Sequence, residues 1–97
     1  MADRYESLDP MLNSHVRLAV MSILVKVKQA DFQTLLEGTE TTQGNMSQQL
    51  KKLSDEGYIK IEKAYRNNYP CTVCTITTKG RKAFEKYVED VKKYLNL

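Results

Sequence analysis

The sequence predicts a small, mostly helical α+β domain: a three-helix core, a two-stranded hairpin and a C-terminal helix. Three observations predict it. Apolar residues recur at three- and four-residue intervals before Gly57 and again after Thr78, the period of a helix with one buried face. Between Tyr58 and Thr77 the pattern changes to short alternating runs around a polar loop, as in a hairpin. Helix punctuation falls between the runs, with Ser14 and Asp31 as N-caps, a helix start near Thr41 or Thr42, and Gly38 and Gly57 as stops.

Residues 1–8 are polar apart from Tyr5 and Leu8 and read as an arm or a loosely docked turn. Asp9-Pro10 can start a helical turn. The first helix is expected over residues 14–27, with Val16, Ala19, Val20, Ile23, Leu24 and Val27 as its inner stripe. The second, residues 31–37, begins at the cap Asp31 and buries Phe32, Leu35 and Leu36, and Gly38 ends it in a left-handed conformation. The third, residues 42–56, has Met46, Leu50 and Leu53 on its core side. Gly44, Asn45, Gln48, Lys51, Lys52 and Asp55 then lie away from the core at 100° per residue. The hairpin over residues 58–77 should turn Ile59 and Ile61 inward, pair Cys74 with Ile76 on one face, and carry Arg66, Asn67, Asn68 and Tyr69 at its tip. Pro70 should block further strand growth there. Thr77 or Thr78 caps the last helix, residues 78–95, whose apolar edge is Phe84, Val88, Val91 and Leu95, with Tyr87 and Tyr94 beside it.

Two helices joined by a turn and followed by a hairpin form a winged helix-turn-helix, a device for laying one helix in a DNA groove. The composition of the third helix fits that use. Gln, Asn, Ser and Gly are poor helix formers, but Asn and Gln can bond adenine bidentately, Ser bonds many base edges, and Gly admits close backbone approach.

Charge and size bound the alternatives. The 97 residues, 41% hydrophobic and 28% charged, support one domain with a modest core. Net charge is +3, with the basic excess in residues 58–97; it is either a phosphate-attracting surface or a solvated helix face. Apolar runs are too short for a membrane span, and the N-terminus lacks the basic-then-apolar order of a secretion signal, so a cytoplasmic location is expected. Cys71 and Cys74 fall on a strand, where a spacing of three places them on opposite faces. Cys74 is expected in the core and Cys71 at the strand edge, both as reduced thiols. His15 is remote in sequence, so no set of four ligands for a metal is available. No nucleophile–base pair, paired carboxylates or phosphate-binding glycine loop is present; neither an enzyme nor a cofactor is expected.

Three segments also carry a family resemblance. Leu8-Asp9-Pro10 followed by Ser14-His15-Val16-Arg17-Leu18-Ala19 resembles the opening of small prokaryotic winged-helix regulators of the MarR/ArsR type. So does Gly44-Asn45-Met46-Ser47-Gln48-Gln49-Leu50-Lys51-Lys52-Leu53 closed by Glu56-Gly57-Tyr58-Ile59, and so does the junction Ile76-Thr77-Thr78-Lys79-Gly80-Arg81. The set spans nearly the whole chain from residue 8. It implies a dimeric transcriptional regulator with its third helix in the major groove and its wing at the minor groove. Carried over by position, Thr42, Gln43, Asn45, Ser47, Gln48 and Lys51 face the groove, and Lys63 and Arg66 are wing contacts to phosphate or minor groove. The resemblance is to a compact subgroup with one C-terminal helix after the wing. The long terminal helices that often frame a ligand pocket in MarR proteins are missing, as are the Cys/His clusters of metal-sensing ArsR relatives. It therefore implies no metal response and leaves any small-molecule effector open.

Phe84, Tyr87, Val88, Val91, Tyr94 and Leu95 exceed what one side of a thin domain covers, and are expected to form a two-fold dimer interface. Such a dimer would set two recognition helices roughly 34 Å apart, matching a palindromic double-stranded DNA site. Gln48 and Asn45 have the best claim to base reading, while Lys51 and Lys52 suit phosphate. Arg17 either touches phosphate or pairs with a carboxylate; Tyr69 is either a wing-tip contact or a packing residue. The alternative function is a winged-helix protein-interaction module without specific DNA binding.

Overall fold

The computed structural model describes residues 7–97, so the expected arm over 1–8 lies, through residue 6, outside the described residues. The first described feature is a turn built by Asp9, whose carboxylate accepts from the Met11 amide (2.9 Å) and whose carbonyl accepts from Leu12 and Asn13. That turn buries Leu12 completely, a core residue not singled out from the sequence.

Helix α1 spans His15–Val27 and buries Val16, Val20, Met21 and Leu24. Ser14 precedes it in extended conformation, but its side chain makes no cap bond. Val27, expected in the core stripe, is 55% exposed, because it is the last helical residue and Lys28 (φ 72°) turns the chain away. Strand β1, Gln29–Asp31, follows; it has no alternating apolar pattern, and the hairpin expected alone becomes a three-stranded antiparallel sheet of order β1-β3-β2.

Helix α2, Phe32–Glu37, starts at Asp31, which accepts from the Thr34 amide at 2.8 Å. Leu35 is buried, while Phe32 and Leu36 are half-buried. Gly38 departs from expectation: its φ is −82°, not left-handed. Its missing side chain matters for space instead, since a Cβ there would lie 2.9 Å from Ile23 Cδ1.

Helix α3, Gln43–Asp55, has Thr42 as N-cap, its hydroxyl accepting from the Asn45 amide at 3.1 Å. Met46, Leu50 and Leu53 are at most 2% exposed. Burial of each contributes about 1.5–3 kcal/mol, which holds an otherwise poor helix sequence in place. Gly57 (φ +84°) ends it in the left-handed region, as expected of a glycine stop.

Strands β2 (Ile59–Arg66) and β3 (Tyr69–Ile76) pair from Ile59↔Ile76 to Arg66↔Tyr69. The wing turn is only Asn67-Asn68, both at positive φ (53° and 66°), the backbone a two-residue hairpin turn of the right twist requires. Pro70 does not stop the strand. It lies inside β3 opposite Tyr65, next to the hydrogen-bonded pair that closes the turn. Alternation of the ladder then points its nitrogen away from β2, and β1 does not reach that far along the opposite edge.

The inward alternation of β2 also fails beyond its first residue. Ile59 is buried, but Ile61 is 37% exposed: its cross-strand partner Cys74 on the central strand β3 is fully buried, whereas Ile61 lies at the open edge of the sheet, on β2. Tyr58, just before the strand, is buried instead and donates its hydroxyl to Asp9. Helix α4, Thr78–Leu95, is capped by Thr77, whose hydroxyl accepts from the Gly80 amide (2.9 Å) and donates to the Gly57 carbonyl (2.6 Å). A Cβ on Gly80 would sit 2.1 Å from the Tyr58 carbonyl oxygen, so only glycine lets α4 rest on the Tyr58 backbone.

Candidate nucleic-acid interface

The core stripe of α3 leaves its opposite side to solvent. Gly44, Ser47, Gln48, Lys51 and Lys52 are all exposed there, and Gln43 is exposed at the N-terminal end of the helix. Among the described residues, the side chains of Gln43, Ser47 and Gln48 make no hydrogen bond with the protein. Lys51 pairs with Asp55 at 2.9 Å, but both partners are well exposed, so the pair is weak and the ammonium is available to another anion. A Cβ added to Gly44 would meet nothing within 4 Å. No packing demand of the domain explains a glycine in the first turn of this helix.

Two of the expected groove-facing residues are engaged elsewhere. The Thr42 hydroxyl caps the helix. Asn45 is half-buried, and its amide belongs to a relay along the edge of α3. Arg17 donates through Nε to the Met11 carbonyl (2.7 Å) and through Nη1 to Gln49 Oε1. Gln49 Nε2 donates to Asn45 Oδ1 (3.0 Å), and Asn45 Nδ2 donates to Thr41 Oγ1 (2.7 Å). Arg17, which also reaches the Pro10 carbonyl at 3.4 Å, thus bonds two carbonyls and an amide rather than a carboxylate, and fastens α3 to the turn before α1. Gln49 and Thr41 were missed in the sequence. The signal that could have found them is the four-residue spacing of Thr41, Asn45 and Gln49, which places them along one edge of the helix.

On the wing, Lys63 is exposed on the face that carries Ile59 and Ile61, beyond the end of the core. Arg66 emerges from the opposite face and donates to Asp31 Oδ2 at 2.8 Å. The Asp31 carboxyl is held below the usual carboxylate range, first by the Thr34 backbone amide, then by the Thr34 side chain, and also by the Arg66 charge. Tyr65 and Tyr69 are 79% and 75% exposed, so Tyr69 is a wing-tip side chain rather than a packing residue.

Helix α4 splits the expected dimer face. Tyr87 is 8% exposed, with its hydroxyl donating to Asn13, and so belongs to the domain's own core. Phe84, Val88 and Val91 are half-buried, while Tyr94, Leu95 and Leu97 are exposed. With Leu18 and Ser22 of α1, several of these line an open apolar groove of about 300 Å³.

Cys74 is fully buried, and burial pushes its thiol up to about 11; Cys71 is half-buried on the other face of β3. Among the described residues no three His, Cys, Asp or Glu side chains converge to hold a metal, and no helix is long and apolar enough to cross a membrane.

Comparison with known proteins matches residues 16–95 to the family model of a winged helix DNA-binding domain. An uncharacterized protein of Methanocaldococcus jannaschii is 32% identical over 81 residues, covering 84% of this chain and 88% of its own. Among solved structures, a transcriptional regulator homologue from Pyrococcus horikoshii OT3 superposes with a TM-score of 0.82 at 26% identity, over 89% of this chain and 85% of that one. NadR, solved in complex with 4-hydroxyphenylacetate, shares the fold with a TM-score of 0.73 at 21% identity, over 90% of this chain and 64% of that one.

Proposed function

The chain belongs to the winged helix DNA-binding domain family, and we propose that it is a transcriptional regulator that reads a palindromic double-stranded site as a homodimer. Helix α3 enters the major groove, and the wing lies on the adjoining minor groove or backbone. The observation that carries this reading is the outer face of α3. Gly44, Ser47 and Gln48 sit there exposed and unused by the fold, with Gln43 and Lys51 beside them. That face is polar and charged, without the apolar, charge-depleted centre typical of a protein interface. It offers an amide for base edges, a hydroxyl, a cation for phosphate and a glycine for close approach.

Base reading rests on Gln48, with Gln43 and Ser47 flanking it, and the Asn45 relay positions the helix from behind. Phosphate contacts come from Lys51, Lys63 and Arg66. The two-fold contact forms through Phe84, Val88, Val91, Tyr94 and Leu95, where apolar side chains on α4 remain open to solvent or half-covered. The Tyr87 side chain supports that face from beneath.

The test is selection from a random-sequence duplex pool at two salt concentrations. The reading expects a palindromic motif among the retained duplexes and a steep loss of affinity with salt, as counterion release requires. Retention without a motif would reduce the protein to non-specific binding, and absence of retention at low salt would reject the DNA reading.

A further inference from the structure

Asp31 uses its two carboxylate oxygens for two different purposes. Oδ1 accepts from the Thr34 amide at 2.8 Å and caps α2. Oδ2 accepts from Arg66 Nη1 at 2.8 Å, across 35 positions of sequence. Capping needs only the first, and Asn or Ser would supply it equally well. The second oxygen is what an acid adds at this position.

The wing depends on few other restraints. Strand β1 ends at Asp31↔Val73, so beyond that pair the wing is a two-stranded ribbon. Two strands alone are marginally ordered in water. Both faces of that ribbon are largely exposed, including Lys63, Tyr65 and Tyr69. Among the described residues, Arg66–Asp31 is the only side-chain hydrogen bond from residues 63–72 to the helices.

Arg66 is not consumed by this bond. Its side chain is 67% exposed, whereas that of Asp31 is 13% exposed. A guanidinium carries five N–H donors in a rigid fork; one meets Asp31, and the others remain for a phosphate or a minor-groove edge. Asp31 itself is fixed at the junction of β1 and α2, inside the helix-turn-helix. The pair therefore sets where the wing cation stands relative to α3.

We propose that Asp31 is a wing-positioning residue, holding Arg66 so that wing and recognition helix engage one half-site in a fixed register. This rests on the DNA-binding reading above and extends it to a residue that itself bonds no nucleic acid. Asp31 acts through Arg66, so removing its charge should matter only while Arg66 is present.

The experiment is a double-mutant cycle on duplex affinity. It uses the full chain, the selected duplex and a shuffled control, with Asp31→Asn, Arg66→Gln and the double variant. Asp31→Asn keeps the cap; Asp31→Ser, also a capping residue, serves as the second variant, and thermal unfolding verifies that each is folded. Asp31→Asn should weaken binding about two- to fivefold, the scale of an exposed ion pair. In the Arg66→Gln background it should cause no loss, or a slight gain from removing an acid near phosphate. Arg66→Gln should lower the salt slope by about one for each protomer, about two for a dimer on its palindromic site.

An equal effect of Asp31→Asn in both backgrounds would overturn the proposal, leaving Asp31 as a cap or a simple charge. Tighter binding confined to the Arg66 background would also overturn it, because Asp31 would then compete with DNA for the guanidinium. Failure of the unaltered protein to retain any duplex is a separate result, and rejects the DNA reading itself.

Discussion

Gly44→Ala separates the demands of the fold from those of DNA. The glycine is the second residue of α3, in helical conformation, and an added Cβ meets nothing within 4 Å. The folded state can therefore accept alanine without strain. Alanine also has less freedom to lose on folding, so the variant should be more stable by about 0.5–1 kcal/mol. For a domain of this size that corresponds to a rise in Tm of about 2–8 °C. DNA binding should move the other way. Gly44 lies one helical turn before Gln48 on the same exposed face, so a methyl group there would meet the groove wall and lift α3 away from it. Loss of the Gln48 base contact alone would cost about 1–3 kcal/mol, at least a severalfold rise in Kd. Circular dichroism melting and fluorescence-anisotropy titration with the selected duplex read the two effects separately. A variant that melts higher and binds as tightly as the unaltered protein would refute close approach of α3 to DNA at this point.

Four further outcomes follow from the same geometry. Gln48→Ala should leave the melting curve within about 0.5 kcal/mol, as for other exposed positions, yet relax base preference at one position of each half-site in a repeated pool selection. Gly80→Ala should destabilise by 1–3 kcal/mol or more in denaturant unfolding, as overpacking does, because its Cβ would lie 2.1 Å from the Tyr58 carbonyl oxygen. Val91→Asp should convert dimer to monomer in sedimentation velocity; an unchanged profile would place the two-fold contact elsewhere. Alkylation of the native protein at pH 8 should label Cys71 and spare Cys74. Raised to about 11 by burial, the Cys74 thiol remains protonated well above that pH and is covered besides, so mass spectrometry should find one adduct until the chain unfolds.

Most of the helical architecture was legible because its signals are local. Asp31 and Thr77 each accept the backbone hydrogen bond that an N-cap provides, the third helix starts beside Thr42, and Gly57 takes the positive φ expected of a stop. The recurring apolar positions of α3 are likewise its buried ones. What was not legible depends on partners distant in sequence. Gln29–Asp31 becomes a strand only because β3 pairs with it. Ile61 has the right alternation but lies on the edge strand, beside a buried Cys74, and Pro70 survives in β3 because its nitrogen faces an open edge. Gly80 was visible as part of a motif; its reason, the Tyr58 carbonyl beneath it, was not.

The interface divides in the same way. Exposure of Gly44, Gln48, Lys51, Lys52 and Asp55 follows from helical periodicity, whereas Gln43 and Ser47, exposed beside them, were named by the family resemblance alone. The engagement of Asn45 by Thr41 and Gln49, and of Arg66 by Asp31, depends on which side chains lie within reach in three dimensions. Tyr87 shows the same limit on α4. Its spacing matches the exposed apolar edge, but Asn13 stands 74 positions earlier to receive its hydroxyl and hold it inward.

If α3 reads bases from the major groove, as proposed, a scan of purine N7 atoms along the duplex must reveal it. Each purine of a selected duplex would be replaced in turn by its 7-deaza analogue, which removes a major-groove acceptor and leaves Watson–Crick pairing and the minor groove unaltered. Losses of affinity are expected in two clusters about one helical turn apart, one for each α3 of the proposed dimer. Uniform tolerance of the substitution across the duplex would contradict base reading by α3.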